Sequence, residues 1–167
     1  MTDTTAFQGT PVTLSGTLPT AGESLPSFTV TGTDLKALSN KELTGKKLVL
    51  NIFPSVDTGV CAASVRRFNE IAAERGDATV VNISRDLPFA LGRFCAAEGI
   101  DGVISASDFR REFGEAFGVV QTDGPLAQLL GRAVVVADAN GGVIYSQVVP
   151  EITEEPDYDA ALAALDS

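Results

Sequence analysis

Histidine is missing from this chain altogether. Its absence excludes Ser-His-Asp triads, Cys-His catalysis, HExxH metalloproteases and histidine metal sites together. Any cysteine nucleophile must then be activated by electrostatics rather than by an imidazole base. Cysteine is scarce as well: Cys61 and Cys95 are the only two, too few for a Cys-rich zinc site and not the pattern of a secreted disulfide scaffold. There is no Cys-x-x-Cys, no GxxxxGKS/T phosphate loop and no strand running into GxGxxG, so nucleotide binding has no support. Basic residues run short, with 12 Lys+Arg against 22 Asp+Glu and a formal net charge of −10. That balance disfavours nonspecific attraction to nucleic acid or anionic membrane. No apolar run reaches transmembrane length, and no basic segment followed by an apolar stretch stands at the N-terminus. The expectation is no membrane association and a cytoplasmic location.

What is present suits one core. A chain of 167 residues with 44% hydrophobic content and no linker-like stretch reads as a single domain, 1–167. Phe7 to Leu14, with Gly9-Thr10-Pro11 as the turn, suggests a small N-terminal β-hairpin before the loop from Pro19 to Pro26. Phe28 to Thr31 reads as a short strand and Leu35 to Leu38 as a turn or short helix. Lys47 to Phe53 is a short apolar run between Gly45 and Pro54, which fits a buried strand that ends where proline cannot continue the ladder. A helical pattern from about Val60 to Glu74 and a strand pattern from Ala78 to Ser84 complete a βαβ unit. Asp86-Leu87-Pro88 reads as the start of a second helix that Gly99 stops. Leu87, Leu91, Phe94, Cys95 and Glu98 lie along it at spacings of three and four. Val103 to Ala106 is a strand candidate, Asp108 to Phe117 a helix and Gly118 to Gly131 a loop. Arg132 to Asp138, Asn140-Gly141-Gly142 and Val143 to Val149 form the clearest hairpin, and Asp157 to Leu165 a terminal helix. This order of strands and helices suggests a thioredoxin-like α/β layer fold.

The chemistry converges on Cys61, which the pattern places in the first turn of a helix. Free N–H groups and the helix dipole favour a negative charge there. An unperturbed cysteine is only about 3% thiolate at pH 7. The dipole supplies roughly 0.3–1 kcal/mol when exposed and up to about 2 when partly buried, so a reactive thiolate also needs hydrogen-bond donors or a fixed cation. Thr58 is the nearest candidate donor. Arg66 and Arg67 stand five and six positions on, off the i+3 and i+4 positions, and read as a solvated helix face. Arg132 opens a strand, where a charged residue is either at the surface or presented by its loop to Cys61. Cys95 is equally divided in meaning, since a cysteine beside an apolar helix face is commonly buried and inert.

The string Pro54-x-x-x-Thr58-x-x-Cys61 resembles the active-site signature of the peroxiredoxins, and the run from Asn51 to Arg66 is similar to that of their bacterial thiol peroxidase subfamily. The likeness recurs at 7–12, in Asp86 to Ala90 with Arg93 to Cys95, at 123–126, at 132–136 and in Glu151 to Tyr158. It implies a thioredoxin-like peroxiredoxin fold, a central mixed sheet flanked by helices. It implies an atypical 2-Cys peroxidase that reduces hydrogen peroxide and organic hydroperoxides. By resemblance Cys61 would form the sulfenic acid, with Pro54, Thr58 and Arg132 around the substrate. Cys95 would resolve it as an intramolecular disulfide, thioredoxin would recycle the enzyme, and the chain would form a homodimer without metal or organic cofactor. Two other readings are open on the residues: a redox-inactive binding module with both cysteines in the core, marked by sluggish alkylation, and a peroxide sensor marked by a lasting mixed disulfide with a client protein.

Overall fold

The structure, a computed structural model, describes residues 2–167. The first two strands, β1 (Thr4–Phe7) and β2 (Thr10–Thr13), pair antiparallel as a separate two-stranded sheet. The turn is Gln8-Gly9, both at positive φ, the geometry of a two-residue primed turn whose twist suits a hairpin. It lies earlier than the expected Gly9-Thr10-Pro11, and Thr10 and Pro11 belong to the strand. Pro11 is tolerated because a two-stranded ribbon leaves each strand an open edge.

The main sheet has seven strands. After β3 (Thr29–Gly32), the stretch expected to turn or coil at Leu35 to Leu38 instead makes a tight turn, with Leu35 at positive φ, into β4 (Ala37–Ser39). Pairing of Val30 with Leu38 across this hairpin overrides the local helical spacing, and a single 3₁₀ turn, Asn40–Leu43, follows. Next come β5 (Lys47–Ile52), α1 (Gly59–Glu74), β6 (Ala78–Ser84), α2 (Pro88–Glu98) and β7 (Ile104–Ser107). The chain ends with α3 (Glu112–Phe117), β8 (Ala133–Ala137), β9 (Val143–Val148) and α4 (Tyr158–Leu165). The strand order is β4-β3-β7-β6-β5-β8-β9. β5 pairs with β6 in parallel and with β8 antiparallel, so the sheet is mixed and β5 is an interior strand. That position explains why Leu48 to Ile52 are apolar at every position but Asn51, since both faces of β5 are covered.

Leu48, Leu50 and Ile52 of β5 face a large apolar cluster with Val81, Ile83, Phe113 and Phe117, and Val49 faces Phe68, Ile71 and Val134 on the other side. α1 covers this second face because Val65, Phe68 and Ile71 recur at helical spacing and are all buried. Each such side chain contributes roughly 1.5–3 kcal/mol when fully buried. α2 begins with Pro88 at its first positions and ends on left-handed Gly99, the conformation glycine adopts at least cost. Leu87 is its N-cap and is exposed rather than on the buried face.

α3 starts later than the expected Asp108, because Asp108 acts as an anchor instead. It is 1% exposed, accepts hydrogen bonds from the N–H groups of Phe113 (2.8 Å) and Gly114 (2.9 Å), and pairs with Arg85 at 3.2 Å. The loop after α3 is tied back by bridges between Val120 and Leu130 and between Leu14 and Gln121. Asp108→Ala leaves a buried guanidinium and two helix N–H groups without their partner, so a loss of about 3–5 kcal/mol is expected. A urea titration checks it; an unchanged midpoint would show that Arg85 is satisfied without Asp108.

Candidate active site

At the C-terminal end of β5 the chain leaves the sheet through Phe53 and Pro54 and turns into α1. Thr58 is the N-cap of that helix and its hydroxyl accepts from the Cys61 N–H at 3.3 Å. Cys61 therefore stands in the first turn, as the apolar spacing predicts, and its residue is fully buried. The Thr58 hydroxyl donates to Ser55 O at 3.2 Å. It thus meets the sulfur's own backbone rather than the sulfur, which differs from its expected role as a direct donor.

The donor to sulfur is Arg132. It sits immediately before β8, the antiparallel neighbour of β5, and Ala133 is the register partner of Ile52. That pairing delivers Arg132 to the turn that carries Cys61. Nη2 is 3.1 Å from Cys61 Sγ and Nε donates to Ile152 O at 2.8 Å, in a side chain only 1% exposed. Nη1 is buried with no partner among the described residues. A buried guanidinium without a carboxylate is costly unless an anion compensates it, and the sulfur is the group in position to do so. Arg66 and Arg67 are directed elsewhere: Arg66 pairs with Glu98 at 2.6 Å, and Arg67 pairs with Glu70 and lies over the Tyr158 ring.

Beside this pair is a small cavity of about 90 Å³, lined by Pro54, Thr58, Val60, Arg132, Phe7 and Leu126 among others. It brings together three of the residues singled out from sequence, Pro54, Thr58 and Arg132, at the mouth of the turn. Its far wall comes from the N-terminal hairpin and the segment after β9. The Glu151 carboxylate binds that hairpin turn, accepting from the Gln8 and Gly9 N–H groups at 3.1 and 2.8 Å. These bonds, with that from Thr153 foremost, hold Glu151 down at about 2. Ile152, the next residue, bonds Ala6 O through its N–H and presents its carbonyl to Arg132.

Two contributors escape sequence reading. Asp86, which reads as a helix start, binds Ser55 Oγ (2.7 Å), the Val56 N–H (2.9 Å) and Ser84 Oγ (2.6 Å). It pins the Pro54 to Thr58 turn to the end of β6, and no local pattern signals that. The Ile152 carbonyl is backbone and leaves no sequence signal at all. Cys95, half-buried on α2, packs in one apolar cluster with Phe53, Val65, Leu91 and Cys61. Both cysteines are free thiols. Among the described residues no group of His, Cys, Asp and Glu could hold a metal ion, and no helix is long and apolar enough to cross a membrane.

Residues 20–162 match the Redoxin family. The thiol peroxidase of Corynebacterium glutamicum is 58% identical over 161 residues, covering 96% of this chain and 98% of its own. That of Mycobacterium tuberculosis is 55% identical over 159 residues, covering 95% and 96%. Among solved structures, a peroxiredoxin-like protein from Aquifex aeolicus superposes with a TM-score of 0.90 at 40% identity, over 98% of this chain and 95% of that one.

Proposed function

The chain belongs to the Redoxin family as a thiol-dependent peroxidase of the peroxiredoxin type, and from that premise we propose that Cys61 is the residue that reduces the hydroperoxide and Cys95 the residue that resolves it. The observation that carries the assignment is the 3.1 Å contact between buried Arg132 and Cys61 Sγ at a helix N-terminus. Both features favour sulfur as an anion without a histidine.

The thiolate attacks one peroxide oxygen; an S–O bond forms and the O–O bond breaks. The departing oxygen leaves as hydroxide or alkoxide and takes a proton to become water or alcohol, and Cys61 becomes a sulfenic acid. Negative charge moves from sulfur to the departing oxygen. Arg132, the backbone N–H groups of the first helical turn and the Thr58 hydroxyl, released from Ser55 O, hold the two oxygens in line and stabilise that charge. Pro54 closes the substrate side of the cavity. No metal or organic cofactor enters. Thioredoxin then reduces the disulfide, and the enzyme works in the cytoplasm as a homodimer of one domain per subunit. Exposed Leu87 and Phe89 at the start of α2 are apolar surface of the kind a subunit contact covers.

Both cysteines lie within folded helices, and bridging needs their Cα atoms within about 7 Å. The disulfide therefore forms with local unwinding of one or both segments. Mass spectrometry after equimolar peroxide tests the assignment: the wild type yields an intramolecular Cys61–Cys95 disulfide, and Cys95→Ser stops at a sulfenic acid on Cys61. Hydrogen exchange should show both segments losing protection on oxidation. A disulfide found only between subunits gives Cys95 a different role, and equal protection in both redox states means the bond forms without unwinding.

A further inference from the structure

A row of buried polar side chains runs across the sheet beneath the two cysteine-bearing helices. Asn51 and Asn82 are register partners on β5 and β6, and Asn82 and Ser105 are partners on β6 and β7, so all three share one face. All are buried. At one end, Asn51 Nδ2 donates to Ser64 Oγ at 3.3 Å, and Ser64 Oγ donates to the carbonyl of Cys61 at 2.8 Å. Asn51 Nδ2 also donates to Asn82 Oδ1 at 2.9 Å. At the other end, Ser105 Oγ lies 3.3 Å from Cys95 Sγ. Between them, Asn82 Nδ2 is buried with no partner among the described residues. Apolar side chains at these positions would pack without any such unmet group, so the row calls for a reason beyond packing.

Ser105 is the member of the row whose side chain touches a reacting atom of the proposed cycle. Its hydroxyl has a single proton to give. The contact with Cys95 Sγ at 3.3 Å can run either way between two neutral groups; a thiolate sulfur can only accept, so in that form the serine hydroxyl is the donor. A neutral thiol gains little from such a donor, whereas a thiolate is a charged acceptor for which the bond is markedly stronger.

We propose that Ser105 is a catalytic residue of the resolving half-reaction, its hydroxyl donating to Cys95 Sγ in the thiolate form that goes on to attack the Cys61 sulfenic acid. In that attack the thiolate's electron pair forms the S–S bond and the S–O bond of the sulfenic acid breaks. The departing hydroxide takes a proton from solvent and leaves as water; Cys95 is oxidised and the Cys61 sulfur reduced to the disulfide level. The hydroxyl acts while α2 is docked, so the attack it assists is on a sulfenic acid brought to Cys95 by unwinding of the Cys61 segment. This inference rests on Cys95 being the resolving residue.

Rapid mixing of the reduced, full-length protein with hydrogen peroxide, reading Cys61 oxidation and disulfide formation separately, tests it. In Ser105→Ala the first step keeps its wild-type rate and disulfide formation slows by about 3–10-fold. The loss of a bond to a charged acceptor is partly offset because a less stabilised thiolate is a better nucleophile. The waiting sulfenic acid is correspondingly more easily trapped by dimedone. Ser105→Thr, which keeps the hydroxyl, restores the fast second step. Disulfide formation at the wild-type rate in Ser105→Ala, or a threonine variant as slow as the alanine one, overturns the proposal. A wild-type protein that forms no Cys61–Cys95 disulfide overturns the assignment of Cys95 instead, so the two failures are distinct.

Discussion

Cys61→Ser consumes no hydrogen peroxide above the protein-free rate in a thioredoxin-coupled assay, a loss of at least about 10⁴-fold given the kcat/KM range of working enzymes. The serine oxygen is not oxidised by peroxide, and the chain has no histidine to activate it. The remaining thiol, Cys95, cannot substitute, because its polar neighbour is the Ser105 hydroxyl and not a guanidinium. The variant should stay folded, since a hydroxyl at this site can still accept from Arg132 Nη2, and a thermal melt checks that directly. Residual turnover that disappears only when Cys95 is also replaced would move the peroxidatic role to Cys95.

The parts of the fold legible in the sequence are those in which a single local rule agrees with the tertiary context. β5, α1 and β6 follow from an apolar run, a helical spacing and a second apolar run, and the sheet buries all three as those patterns require. β4 was hidden because Leu35 to Leu38 has helical spacing locally, and only pairing with Val30 makes it a strand. The start of α3 is hidden for a similar reason: Asp108 accepts from the helix N–H groups of Phe113 and Gly114 from outside the helix while pairing with Arg85, a long-range partner that no window contains. In the candidate site, the place of Cys61 in the first helical turn is legible from apolar spacing alone. Arg132 was not, because spacing cannot distinguish a strand-opening surface residue from a buried one. What decides it is the antiparallel pairing of β8 with β5, which sets Arg132 against the end of the strand leading to Cys61. Asp86 and the Ile152 carbonyl lay beyond reach on the same ground. Asn51, Asn82 and Ser105 did leave a trace, a polar residue inside each of three apolar strands, but only the register shows that they form one row.

Arg132→Ala should slow Cys61 oxidation by roughly 10²–10³-fold, the cost of losing one preorganised donor aimed at developing charge. Two effects add in that loss. The anion on sulfur loses its closest cation, and the departing oxygen loses the fixed positive charge that the cavity provides. Arg132→Lys restores only part of the rate, because the guanidinium spans Ile152 O through Nε and Cys61 Sγ through Nη2 at once, and a single ammonium on a flexible stem cannot hold that fork. Stopped-flow measurement of the first oxidation step separates this effect from resolution by Cys95. Removing the arginine also removes a buried charge whose Nη1 is unpartnered, which offsets part of the cost of leaving the Ile152 carbonyl unpaired. The rate should accordingly fall much further than the stability. A folded alanine variant that oxidises at a near-wild-type rate would return Arg132 to a structural role, and would leave the helix terminus as the remaining source of activation, which at up to about 2 kcal/mol is too small for the task.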